Sequence, residues 1–290
     1  MAVADPLTYE RRMRPRYAVI AVIGGVCLFA ATAVQAAGTQ AKESELTVQL
    51  LLTNKRGSLE ILGTIINGIG LLGLAATLMF LFHAARARKP EMNSAVWMIA
   101  IAGGVLAAIG GVAYGVVITS KAHDFATHGV QTYPQANQLL SGTALAALQY
   151  AGLLGSLMLA VGFVLIALNA MRVGLLTKFM GYLGMIAAGA SLLLIGSAPA
   201  LLIEVFWLLA VGYLLFGRWP NGDPPAWRTG QAEPWPTAAE IREQRQQAAA
   251  KRRDGRGEPR KPEPDPAPVP AAPRPTTRST TPKRKRKRRR

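Results

Sequence analysis

The chain has 290 residues, half of them hydrophobic, and a formal net charge of +17. This average hides two regions: residues 1–217 carry a net charge of +5, whereas residues 218–290 carry +12 and hold 14 of the 19 prolines. The apolar runs of the first region are too long and too poor in charge for an ordinary soluble domain. A single cysteine, Cys27, excludes an intrachain disulfide and a zinc site built from several cysteines.

Six apolar stretches of the first region are long enough to cross a bilayer. The hydrocarbon core is about 30 Å thick, so a spanning helix needs about 20 apolar residues. Lipid leaves backbone groups without partners, so each stretch should be an α-helix. The sequence therefore predicts an all-α, polytopic membrane protein with a transmembrane domain over residues 17–217. Its six helices are predicted at about 17–37, 61–83, 95–119, 143–168, 179–197 and 200–217.

The first stretch has a second interpretation. Basic residues precede it, and Val34-Gln35-Ala36 is similar to a signal-peptidase site. A cleaved signal usually has an apolar core of only about 7 to 15 residues, and this stretch has about twenty. An uncleaved helix is therefore favoured, while cleavage would leave five helices with the same orientation of the tail.

Basic residues favour alternate connections between the predicted helices. The basic connections are residues 1–16, 84–94, 169–178 and the tail from residue 218 onward. In the other connections the basic residues are offset by acidic ones, as in 38–60, or reduced to Lys121, as in 120–142. The positive-inside rule then predicts a cell (inner or plasma) membrane protein with both termini in the cytoplasm.

Small residues recur every four positions in the third predicted helix. They are Gly103, Ala107, Gly111 and Gly115. This spacing places them on one helical face, where another helix can approach closely. Two alternatives stay open: packing against a helix of the same chain, which is the more common use, or the face of a homo-oligomer.

Polar residues inside the spans are the candidates for a ligand or ion site, because burying them in lipid costs free energy. Glu204 is the acidic residue of the predicted spans and lies about four residues into the sixth. It either reaches water at the outer surface or forms a proton or cation site with a neighbouring helix. Asn67 and Gln149 are further candidates, although such residues more often make hydrogen bonds between helices.

The sequence lacks the common motifs of catalysis and cofactor binding. It contains no Gly-rich phosphate loop ending in Lys and Ser or Thr, no His-Glu-x-x-His and no Gly-x-Ser-x-Gly. His123 and His128 are five residues apart, which is not the spacing of a helical zinc site. We therefore expect no catalytic residue, no metal and no cofactor, and a protein that is not an enzyme.

Three tryptophans recur every eight residues after the last span, at Trp219, Trp227 and Trp235. The prolines of this juxtamembrane segment, residues 218–236, exclude a regular helix. Two placements stay open with equal weight. In the first, the indoles anchor an extended segment in the headgroup layer of the membrane. In the second, the segment is a collar packed on the ends of this protein's own helices.

The rest of the tail is polar and basic. A capping box, Thr237-Ala238-Ala239-Glu240, predicts a short helix over residues 237–253, and the Pro-rich composition of residues 254–290 predicts disorder. The last eight residues are all basic: Lys283, Arg284, Lys285, Arg286, Lys287, Arg288, Arg289 and Arg290. Contact with anionic membrane lipid is the favoured interpretation. Unspecific nucleic-acid binding, or a topology and solubility signal without a partner, are the alternatives.

The stretch Asn169–Gly184, with Phe206-Trp207, Gly217–Pro220 and Pro224–Trp227, resembles a family of bacterial polytopic integral membrane proteins. The resemblance covers roughly residues 169–236 and does not extend to the first three helices. The family has no known activity. It therefore implies a membrane location and assigns no functional residue.

The favoured function is that of a non-enzymatic, membrane-anchored interaction or scaffold protein whose tail engages anionic lipid or an acidic protein partner. The reason is that the unusual chemistry of the chain lies in the tail and not in the spans. A small transporter or channel that uses Glu204 is the alternative. An intramembrane enzyme comes last, since the sequence offers no pairing of a nucleophile with a base.

Overall fold

The computed structural model describes residues 6–36, 46–193, 198–220, 222–235, 242–243 and 246–247. Within these residues the chain forms nine α-helices and no strand. They are α1 (Pro6–Ala36), α2 (Leu46–Lys55), α3 (Gly57–Arg88), α4 (Ala95–Thr127), α5 (Tyr133–Leu140), α6 (Thr143–Arg172), α7 (Lys178–Leu193), α8 (Ala198–Leu215) and α9 (Pro225–Thr229).

All nine helices belong to one compact unit, Met1–Pro236, and Thr237–Arg290 forms a second unit. In the second unit the described residues are 242–243 and 246–247, and they are helical. Most of the helix predicted at 237–253 lies outside the described residues. So does the whole segment predicted to be disordered, with its eight terminal basic residues.

Among the described residues, four helices are long and apolar enough to cross a membrane. They are Leu7–Val34 within α1, and α3, α4 and α6. The predicted spans at 179–197 and 200–217 correspond to shorter helices, α7 with 16 residues and α8 with 18. The four long apolar helices indicate a membrane protein.

The six longest described helices form a ring in chain order. Each packs on the next, from α1 through α3, α4, α6 and α7 to α8, and α8 closes the ring against α1. α3 also contacts α6 across the ring. Short connections between successive helices favour antiparallel neighbours, which is why order along the chain matches order in space.

One end of the bundle collects basic residues, and we call it the basic end. The first turns of α1, the last turns of α3 and α8, and the α6–α7 turn meet there through the contacts described below. Its exposed basic residues are Arg11, Arg12, Arg16, Arg86, Lys89, Arg172, Lys178, Arg218 and Arg228. These residues come from the connections that the sequence identified as basic.

At the other end, connections treated as loops in the sequence analysis contain helices. α2 lies in the connection 38–60, and α5 lies in the connection 120–142. The 33 residues of α4 extend about 50 Å at 1.5 Å per residue, well beyond a hydrocarbon core of about 30 Å. Its last turns pack with α2 and α5 around a small buried core of Leu50, Ala122, Phe125 and Ala136.

The main core joins α6, α7 and α8 around Trp207, which is fully buried. Its Nε1 donates a hydrogen bond of 2.9 Å to the carbonyl oxygen of Met180, so the one polar atom of the indole is satisfied. The ring of Phe163 lies 4.4 Å from the ring of Trp207, centroid to centroid. These contacts hold the two shorter helices against the long α6.

Candidate functional site at the basic end

A buried ion pair joins α1 to α3. Both Oε atoms of Glu10 accept hydrogen bonds of 2.7 Å from the guanidinium of Arg88, and the two side chains are 8% and 1% exposed. Arg88 also donates to the carbonyl oxygens of Ala84 and Ala226. All five of its N–H groups therefore have an acceptor, which is the condition under which a buried arginine is tolerated.

A second arginine on α1 holds the segment that follows α8. The guanidinium of Arg14 donates hydrogen bonds of 2.8 and 3.0 Å to the carboxylate of Asp223. It also donates to the carbonyl oxygen of Leu214, in the last turn of α8. Arg14 thus connects α1 to the last turn of α8 and to the segment after it, which lie 200 and 209 residues away in sequence.

Trp227 lies between these two arginines and is 5% exposed. The guanidinium carbons of Arg14 and Arg88 lie 4.8 and 5.4 Å from the centroid of its ring, within the range of cation–π contacts. Phe80 stacks on the indole at 5.8 Å, and Tyr17 stacks on Phe80 at 4.5 Å. The indole is therefore enclosed by protein side chains.

The α6–α7 turn forms the other side of the site that encloses Trp227. Nε1 of Trp227 donates a hydrogen bond of 2.9 Å to the carbonyl oxygen of Leu175, and the amide of Glu233 donates to the carbonyl oxygen of Val173. Gly174, between them, has a φ of +81°, and a Cβ there would collide with the backbone of Glu233. Only glycine fits this position, because both the backbone conformation and the space exclude a side chain.

Residues 222–235 are thus a collar packed on the helix ends, the second of the two placements considered for this segment. Trp227 is buried among protein side chains, 5% exposed, and its indole contacts protein on the sides described above. Trp219 and Trp235 are half-buried, and Trp219 packs against the main core.

Sequence reasoning missed the residues that hold the collar. Arg14 and Arg88 were counted only as signals of orientation, and Glu10 and Asp223 were given no role. Each pair brings together residues 78 or 209 positions apart. No local spacing encodes such a contact. The only signal in the sequence was that Glu10 and Asp223 are acidic residues within flanking segments that are otherwise mainly basic.

The second candidate site lies between α7 and α8. Glu204 is 5% exposed, and its Oε2 lies 3.0 Å from the hydroxyl oxygen of Ser191. The same hydroxyl lies 2.9 Å from the carbonyl oxygen of Ala187. A hydroxyl has one hydrogen, so Ser191 either shares it between these two acceptors or donates it to Ala187 and accepts a hydrogen bond from a protonated Glu204 carboxyl.

Asn67 and Gln149 do not join this site. Asn67 is half-buried on α3, and Gln149 is exposed on α6. Gln149 lines a groove of about 250 Å³ between α4 and α6 that also includes Gly111 and Ser156. The structure therefore leaves Glu204, Asn67 and Gln149 in separate places and does not bring them into one pathway.

The small residues of α4 pack mainly within the chain. A Cβ on Gly103 would collide with the backbone of α6 near Gly155, and a Cβ on Gly155 would collide with Ala107. A Cβ on Gly115 would meet Thr64 of α3 at 2.6 Å, whereas Gly111 has open space around it. The stripe thus serves the contacts of α4 with α6 and α3, and Gly111 faces the groove.

Among the described residues, no group of three or more His, Cys, Asp or Glu could hold a metal ion. His123 contacts Asn54 and His128 contacts Thr127 in the region of α2 and α4. His83 lies on α3 beside the rings of Phe82 and Trp97.

No protein-family model, no curated protein and no solved structure matches the chain. The resemblance over residues 169–236 therefore brings no activity, substrate or partner to it. Its function has to be argued from its own residues.

Proposed function

We propose that the chain crosses the inner (plasma) membrane six times, with both termini in the cytoplasm. α7 and α8 belong to the same ring as the four long helices, and their 16 and 18 residues extend about 24 and 27 Å. The connections that carry the basic residues meet at one end of this ring. That arrangement supports an orientation with the basic end at the cytoplasmic face.

The function we favour is that of a non-enzymatic, membrane-anchored scaffold whose basic tail engages anionic lipid. The observation that carries this proposal is the collar, which is held against the helix ends by the Arg14–Asp223 ion pair, by the hydrogen bonds of Arg88 to the carbonyl oxygen of Ala226 and by a buried tryptophan. A tail that starts at the membrane face keeps its charges near lipid headgroups. Each basic residue near an anionic surface contributes on the order of 1 kcal/mol. An acidic protein surface is the alternative partner of the basic tail, because it carries negative charge as anionic lipid does.

A label in the tail tests the lipid proposal. In a Cys27→Ser background, a fluorophore on Ser279→Cys is exposed to the neutral quencher acrylamide, with the protein in phosphatidylglycerol or phosphatidylcholine nanodiscs. We expect weaker quenching in phosphatidylglycerol, and we expect high salt to remove the difference because it screens exposed charges. A label on exposed Thr229→Cys in the collar is the matched control and should respond equally in both lipids.

Replacement of Lys283–Arg290 by eight glutamines should also remove the difference. Equal quenching of the parent tail in both lipids would contradict the lipid proposal. Specific acidic proteins that co-purify with the nuclease-treated full chain, and not with a chain ended at Pro236, would then support the acidic partner.

A small transporter that uses Glu204 is the second candidate. It is supported by the burial of this carboxyl between α7 and α8 and by its contact with Ser191. A buried acid that can take up and release a proton is a common element of proton-coupled transport. This candidate predicts proton flux across vesicles that Glu204→Gln abolishes and removal of residues 255–290 leaves intact.

A further inference from the structure

A cleft opens between α1, α3 and α4 at the basic end, next to the collar. It has a volume of about 310 Å³ and is lined by Tyr9, Tyr17, Met79, Phe80, His83 and Trp97. Five of these six residues carry rings. Tyr9 is 56% exposed and His83 is exposed, so the cleft is open on the outer surface of the bundle.

The walls of the cleft suit the layer between lipid headgroups and acyl chains. Tyrosine and tryptophan are enriched at that depth because an apolar ring and one polar group share a side chain. Phe80 closes the inner side, where it lies between Tyr17 and Trp227 in the stack that supports the collar. The inner wall of the cleft is therefore held in place by the ring stack that also supports the collar.

Exposed arginines lie on two of the three helices that form the cleft, at helical spacings from residues that line it. Arg16 follows Tyr9 by seven residues on α1, and Arg86 follows Met79 by seven residues on α3. Seven residues are about two turns, so each arginine shares a helical face with a residue of the cleft. Arg12, three residues after Tyr9, lies on that face as well. Among the described residues, none of these three arginines forms a salt bridge.

We propose that this cleft binds one anionic phospholipid of the adjacent leaflet. The lipid phosphate lies at Arg12, Arg16 and Arg86, and the upper part of one acyl chain lies between the rings. Three exposed positive charges favour a headgroup with a net negative charge over a zwitterionic one. The inference rests on the proposed membrane placement of the bundle and is independent of the role of the tail.

Competition between two lipids tests the inference. The full-length protein in detergent is incubated with equal amounts of phosphatidylglycerol and phosphatidylcholine, and the retained lipid is identified by native mass spectrometry. The site variant is Arg12→Gln, Arg16→Gln and Arg86→Gln together. The matched control is Arg11→Gln, Arg172→Gln and Arg218→Gln, which removes the same charge from other exposed positions of this region.

We expect the parent and the control to retain one phosphatidylglycerol. The site variant should bind it about a hundredfold more weakly, at about fivefold for each basic charge near an anionic group. Equal binding by the two triple variants, or equal retention of phosphatidylcholine, would overturn the proposal. Thermal unfolding checks that the triple variants are folded, and exposed arginines should contribute little to stability.

Filling the cleft separates insertion of the acyl chain from simple attraction to arginines. Met79→Phe should weaken retention without a change in charge, and Tyr9→Trp at the exposed mouth is the second filling variant if Met79→Phe unfolds. Unchanged retention in a folded filling variant would show that the lipid does not enter the cleft. A chain with eight glutamines at 283–290 should retain the lipid. Loss of the lipid from that chain would overturn the proposal that the cleft binds it and would leave the proposal for the tail standing.

Discussion

Arg88 and Glu10 are 78 residues apart in sequence and form a two-point ion pair in which both donor–acceptor distances are 2.7 Å. The remaining N–H groups of Arg88 donate to the backbone of α3 and, through Ala226, to the collar. One arginine therefore links α1, α3 and the start of the tail. The stability of the collar should depend on it.

Arg88→Met is expected to lower the free energy of unfolding by about 3 to 5 kcal/mol, because it leaves the Glu10 carboxylate buried without its partner. Unfolding in detergent, followed by circular dichroism, measures the change. Arg86→Met, two positions away at an exposed site, should change it by less than about 0.5 kcal/mol. Adding Glu10→Gln to Arg88→Met should restore part of the loss. Similar unfolding of the two single variants would contradict the assignment.

Trp227→Ala should release the collar, because the substitution removes a buried indole that packs on Phe80 and donates to Leu175. Replacing a buried tryptophan by alanine costs about 3 to 5 kcal/mol. The release is measured as faster tryptic cleavage after the exposed Arg228, read from the mass of the fragment. Trp227→Phe keeps the stacked ring and loses the hydrogen bond, so its effect should be smaller, about 1 kcal/mol. Cleavage of Trp227→Ala at the parent rate would refute a collar held by Trp227.

Glycines of α4 should differ in their tolerance of a side chain. Gly103→Ala forces α4 away from α6 and should cost about 1 to 3 kcal/mol, as overpacking does. Gly111→Ala meets open space and should be neutral or stabilising by up to about 1 kcal/mol, because alanine is the better helix former. Unfolding in detergent compares the two. A larger loss for Gly111→Ala would mean that Gly111 is covered by a second copy of the chain.

The positions of the four long apolar helices could be read from the sequence because burial in lipid requires long apolar runs, whereas the six crossings stay a prediction. The stretches at 95–119 and 143–168 lie within α4 and α6, and the stripe of Gly103 is used for close packing. The helices run further than the apolar runs where their ends find packing partners outside the apolar stretch. α4, for example, continues to Thr127 into the small core with α2 and α5.

The collar could be predicted only as one of two alternatives. A tryptophan beside prolines suits a lipid headgroup layer and a protein surface equally well. What decides its position is an ion pair between Arg14 and Asp223, 209 residues apart, and a glycine with positive φ at position 174. Such contacts depend on how distant helix ends meet. The pattern around each residue does not contain that information.

Glu204→Gln should leave stability within about 1 kcal/mol of the parent, since the amide can donate to Ser191 as a protonated carboxyl does. Ser191→Ala should cost about 1 to 3 kcal/mol, because it leaves a buried polar group without a partner. Both are measured by unfolding in detergent. A loss for Glu204→Gln that exceeds the loss for Ser191→Ala would mean that the carboxyl is charged in the folded protein.

The most direct test of the account is the side of the membrane on which three positions lie. In a Cys27→Ser background, single cysteines at Gln138, Ser197 and Arg228 are treated with a membrane-impermeant maleimide, in intact cells and after permeabilisation. Six crossings with a cytoplasmic collar predict labelling of Gln138→Cys and Ser197→Cys in intact cells, and of Arg228→Cys only after permeabilisation. Labelling of Arg228→Cys from outside would contradict the orientation. Labelling of Ser197→Cys only after permeabilisation would contradict the crossings by α7 and α8.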